Sequence, residues 1–180
     1  MLVSCTIEIP EECKKQIEKE TKILFELHPE YLWYDTADYH ISFYSWPNVE
    51  VDLIDKLTEK LTTLLFEQKP FVLYGFKYMV KIANHIDIVL QFQETQRYRS
   101  LVTSVAEYFS PELKPSVVPV LHIARYKIPS KQQYSHLKNK LKYIDTEIEL
   151  PVNALTLCKV TDFGNAIRKY QPLCDVGFAA

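Results

Sequence analysis

The chain has 180 residues, 47% hydrophobic and 24% charged, which is ordinary for a soluble globular protein and fits one domain, or two small lobes around one core. Its formal net charge of −2 argues against a long basic track for duplex nucleic acid, but a local patch could still hold a nucleotide or a short RNA end. No apolar run is long enough to span a membrane, and the N-terminus lacks a charged segment followed by an apolar one, so a cytoplasmic protein is expected.

Residues 2–9 read as a strand with Val3, Cys5, Ile7 and Ile9 on one face. After Pro10, residues 11–27 read as a helix with acidic residues in its first turn, which suits the helix dipole. A strand over 39–46 carries His40. Residues 51–66 form the clearest helix, with Ile54, Leu57, Leu61, Leu64 and Leu65 at three- and four-residue spacing. Strands are expected over 71–79 and 85–93. The second alternates strictly, Ile86, Ile88, Leu90 and Phe92 against His85, Asp87, Val89, Gln91 and Gln93. His85, Asp87, Gln91 and Gln93 make a polar face that could border the groove, but a solvated face is the expected reading. A helix follows over 96–109, with Leu101, Val102, Val105 and Phe109 on one side. Then come a strand over 117–128 carrying His122, a helix over 131–143, and closing strands over 153–161 and 172–178. The order reads as α+β in two related halves within one domain.

An internal echo supports two halves. The run His40-Ile41-Ser42-Phe43-Tyr44 returns 82 residues later as His122-Ile123-Ala124-Arg125-Tyr126. In a regular strand alternate residues share a face. His40, Ser42 and Tyr44 are then expected to point one way, as are His122, Ala124 and Tyr126. Arg125 is expected to point away unless a bulge turns it inward. Tyr39, Ile41 and Phe43 beside His40, and Leu121 and Ile123 beside His122, would pack under helices and leave both histidines to a shared groove.

At these residues the chain resembles the 2H phosphoesterase superfamily, in particular its 2′-5′ RNA ligase-like (LigT-type) cyclic phosphodiesterases. That family carries two His-x-Thr/Ser-x motifs, one per lobe. His40-Ile41-Ser42-Phe43 matches in full. His122-Ile123-Ala124-Arg125 keeps the histidine and has Ala124 at the hydroxyl position. The resemblance implies a bilobal, pseudo-symmetric α+β fold, with antiparallel sheets around a central cleft and helices outside. It implies hydrolysis of 2′,3′-cyclic phosphates of nucleotides or RNA ends, with 2′-5′ ligation as the reverse direction. It implies no metal and no nucleotide cofactor, and no obligate protein partner is expected.

The chemistry needs a base to activate water and an acid for the leaving ribose oxygen. Histidine titrates near neutrality, so His40 and His122 are the natural pair, with neither assigned as the base. Ser42 would donate to a phosphoryl oxygen. Tyr44, Tyr126 and Arg125 are candidate substrate contacts, the tyrosines by stacking or by binding phosphate. Ala124 motivates an alternative, a weakened nucleotide- or RNA-binding module without turnover. A further alternative is an unrelated interaction protein in which both histidines are incidental.

Other features read as structural. His28 lies near a helix end, His136 lies mid-helix among lysines, and Lys127, Lys131, Lys138, Lys140 and Lys142 read as surface lysines. Cys5, Cys13, Cys158 and Cys174 are widely spaced and read as reduced packing thiols. The chain has only Gly75, Gly164 and Gly177, so it holds no glycine-rich phosphate loop. It has neither a His-Glu-x-x-His metal helix nor a Gly-x-Ser-x-Gly elbow.

Overall fold

The computed structural model describes residues 1–82, 86–109, 118–126, 131–161 and 168–178, with Phe43 and Lys131 described by backbone alone. His85 and Lys127 therefore lie outside the described residues. Alternation builds β1 (Leu2–Glu8): Val3, Cys5 and Ile7 enter the core, while Ser4 and Thr6 face the other side. Pro10 then opens α1 (Glu11–Leu27), which buries the stripe Cys13, Ile17, Thr21 and Leu24. His28 closes this helix, its backbone N–H donating to the Leu24 carbonyl at 2.9 Å, so its role is capping.

The remaining elements are β2 (Leu32–Trp33), β3 (His40–Trp46), α2 (Ile54–Leu65), β4 (Phe71–Ile82), β5 (Ile86–Phe92), α3 (Gln96–Phe109), β6 (Val120–Tyr126), α4 (Lys131–Leu141), β7 (Glu149–Val152), β8 (Ala154–Thr161) and β9 (Lys169–Gly177). The helix expected over 51–66 begins as a 3-10 turn over Val51–Leu53 before continuing as α2. The short strands β2 and β7 add to the elements expected from the sequence. Among the described residues, no helix is long and apolar enough to cross a membrane.

The strands run β7-β4-β5-β6-β3-β1-β8-β9, with β2 also on β6. Every pairing among the described residues is antiparallel. Each half contributes four strands, β6-β5-β4-β7 on one side and β3-β1-β8-β9 on the other, and the halves meet where Ile41 opposes Leu121. The sheet curls, with helices outside. α2 packs on β9, α4 on β4 and α3 on β3. The buried tyrosine Tyr78 of β4 donates through its hydroxyl to Glu20 of α1 at 2.7 Å.

Two bulges set which side chains reach the cleft. In β3, Thr6 opposes Ser42 and Cys5 opposes Tyr44, leaving Phe43 as an extra residue. In β6, Val89 opposes His122 and Ile88 opposes Ala124, leaving Ile123 as the extra residue. An extra residue reverses the alternation beyond it.

Candidate active site

The antiparallel register that opposes Ile41 to Leu121 puts His40 and His122 at the next opposed positions, on the other face of adjacent strands. His122 lies near enough to help lower the pKa of His40.

His40 is held at both nitrogens. Nδ1–H donates to the Asp38 carbonyl at 2.6 Å. A carbonyl only accepts, so Nδ1 carries the proton and the neutral ring presents its lone pair at Nε2. Ser42 Oγ lies 3.2 Å from Nε2 and donates to it. Burial pushes the His40 pKa down to about 4, against the opposing pull of the Asp38 carbonyl. Tyr170 of β9 covers the ring, with centroids 3.7 Å apart, and its hydroxyl lies 3.5 Å from Ser42 Oγ. Two strands separate β9 from β3 in the sheet, so this contact measures how far the sheet curls. A small cavity of about 90 Å³ lies beside His40, lined in part by Thr6, Glu8 and Tyr170.

His122 has a different setting. Its Nδ1 lies 3.1 Å from Asp87 Oδ2, an ion-pair distance that falls short of a linear hydrogen bond. Asp87 is buried, and Arg125 Nε and Nη2 reach its two oxygens at 2.9 and 3.4 Å. Burial alone would raise the Asp87 pKa; His122 and Arg125 outweigh that and hold it at about 2. Tyr34 stands beside His122 with centroids 6.3 Å apart, and its backbone N–H donates to the carbonyl of the bulged Ile123 at 3.0 Å. Burial raises the Tyr34 pKa, with Arg125, Asp87, Tyr170 and Arg168 near enough to act on it.

The bulges correct several expectations. Tyr44 does not share the face of His40 and Ser42: beyond Phe43 it turns into the core against Trp46, with centroids 4.8 Å apart. Tyr126 does not share the face of His122: it opposes Ile86 and stacks on Tyr31 at 4.5 Å. Ala124 is fully buried opposite Ile88. Arg125 takes the cleft side with His122, because Asp87 and Val89, their partners, are alternate residues of β5. Asp87 is not on a solvated face; it is 4% exposed. The sequence reading misses Asp87, Tyr34 and Tyr170 as site residues. The one signal for Asp87 is a lone charge inside the mostly apolar strand IDIVLQF. Among the described residues, no group of three or more His, Cys, Asp or Glu is arranged to hold a metal ion.

No family model matches the chain, and no curated protein matches it in sequence. Solved structures do match. TT0787 of Thermus thermophilus superposes with a TM-score of 0.72 at 13% identity, covering 99% of this chain and 98% of that one. Escherichia coli LigT, solved with 3′-AMP, superposes with a TM-score of 0.67 at 15% identity, again covering 99% and 98%. The fold is that of LigT. A protein described as a phosphoesterase gives a TM-score of 0.64 at 16% identity, with 99% of both chains covered. LigT has also been solved with NADP+, ATP and phosphate.

Proposed function

We propose that this chain is a 2H phosphoesterase, a single domain of two related lobes, that hydrolyses 2′,3′-cyclic phosphates of nucleotides or RNA ends. The observation that carries this reading is the opposed pair itself. His40 offers a neutral imidazole with its lone pair at Nε2, and His122 is backed by a buried carboxylate. The nucleotides and phosphate held by LigT support a nucleotide ligand for the same fold.

In this mechanism His40 Nε2 takes a proton from water as its oxygen attacks phosphorus. The bond from phosphorus to O3′ breaks, and His122 gives its proton to O3′, leaving a 2′-phosphate. Asp87 lies 3.1 Å from His122 Nδ1 and orients the ring. His40 ends protonated and His122 neutral, and exchange with solvent resets both. Ser42 turns its hydroxyl from His40 to a phosphoryl oxygen. With the 5′-hydroxyl of a second RNA end in place of water, the same pair takes the proton of that hydroxyl, breaks the bond from phosphorus to O3′, protonates O3′ and leaves a 2′-5′ bond. Both proton transfers belong to the histidines, so turnover is expected in EDTA.

The test is hydrolysis of the four nucleoside 2′,3′-cyclic phosphates and of a short RNA with a cyclic end, with EDTA present. Turnover by wild type, lost in both His40→Ala and His122→Ala, is the expected result. Activity indifferent to either substitution would refute the mechanism. Nucleotide affinity without any turnover would favour the rival reading that Ala124 motivates, a binding module.

A further inference from the structure

We infer that Arg125 supplies the second phosphate donor of this site, in the role the second motif gives to a hydroxyl, because the bulge at Ile123 moves the cleft-facing position from Ala124 to Arg125. The inference rests on the phosphoesterase reading above and deepens it.

The register carries the argument. With Gln91 opposite Val120, Val89 opposite His122 and Asp87 opposite Arg125, the β6 residues on the cleft face are Val120, His122 and Arg125, the last two three apart. Between them, Ile123 is the bulged residue and Ala124 opposes Ile88 on the core side, both fully buried. A hydroxyl added at Ala124 would therefore enter the core and miss the phosphate. The donor lost from the motif by spacing is regained from the next residue.

Asp87 makes that donor a fixed one. It grips Arg125 through Nε and Nη2 and lies 3.1 Å from His122 Nδ1. One buried carboxylate thus orients both cations of the cleft wall. With His122 protonated, the three groups sum to a single positive charge, the complement of a monoanionic cyclic phosphate. A guanidinium is a planar, permanently charged donor suited to phosphate oxygens, and its charge-assisted hydrogen bonds are stronger than those of a neutral hydroxyl. The side chain is 21% exposed.

The experiment is calorimetric titration of inorganic phosphate and of adenosine 2′-monophosphate into wild type, Arg125→Gln and the double variant Asp87→Asn/Arg125→Gln. The double variant replaces the ion pair with a neutral hydrogen-bonded pair, so no buried charge is stranded. Loss of a charged hydrogen bond predicts affinity weaker by about tenfold or more in both variants. Wild-type affinity in either folded variant would overturn the inference. Hydrolysis by Ala124→Thr gives an independent check. No gain over wild type is expected, and a gain would show that the hydroxyl position does face the substrate. The two readings fail separately. Phosphate binding that depends on Arg125, without cyclic-phosphate turnover, removes the proposed reaction and keeps the donor. Turnover that depends on both histidines, with phosphate binding indifferent to Arg125, removes the donor alone.

Discussion

Asp87→Asn isolates the carboxylate that ties His122 to Arg125. The side chain is 6% exposed, and its pKa is held at about 2 in place of 3.8. A carboxyl held that far down contributes about 2 kcal/mol to folding at neutral pH. The folded-state pKa is the lower one, so this contribution is complete above about pH 4. It is lost as pH falls through the folded value of about 2. Asparagine keeps the shape and has no such titration. Urea unfolding at pH 7 should therefore show the variant less stable by about 2 kcal/mol, with its midpoint of thermal unfolding lower by about 4–8 °C for a chain of this size. Repeated at about pH 5, 3.5 and 2.5, the two curves should converge. A gap that stays constant over that range, or no gap at pH 7, would refute the charge-based account of the Asp87, His122 and Arg125 cluster.

Other consequences follow from the same site. Ala124→Thr adds a methyl and a hydroxyl to a fully buried position opposite Ile88, and should lower stability by about 1–3 kcal/mol in thermal or urea unfolding. His40 refuses a proton until about pH 4, whereas in the unfolded chain it takes one near 6.5. Wild type should lose stability as pH falls from 6.5 to about 4, and His40→Gln should remove that part of the slope in urea unfolding across the same window. Ser42→Ala should lower kcat on a cyclic phosphate by about two to three orders of magnitude while the fold, followed by circular dichroism, is unchanged.

Most elements are legible in the sequence because their signals are local. The apolar spacing of α1 and α3 marks both ends of each helix, and the alternation of β1 and β5 marks their core faces. The strands β2 and β7, of two and four residues, are too short for a periodic signal. The site is legible only up to each bulge. His40, Ser42 and His122 precede the inserted residues or abut them, so simple alternation gives their face. Tyr44, Ala124, Arg125 and Tyr126 lie beyond an inserted residue and change sides with it. Neither insertion is marked by glycine; Phe43 and Ile123 are ordinary strand residues by type. Tyr170 and Tyr34 reach the histidines only through the curl of the sheet and the path of a loop. Both are long-range features with no local trace.

The seam between the halves has a mechanical consequence. His40 stands on one half and His122 on the other, while each half keeps its own ladders, β3 with β1 and β6 with β5. The direct β3–β6 joint is the single register pair Ile41 and Leu121 among the described residues. Shear along that joint alters the span between the two imidazoles and leaves the ladders within each half intact. The distance over which a proton pair must work is thus set at the joint between the halves, across one continuous hydrophobic core.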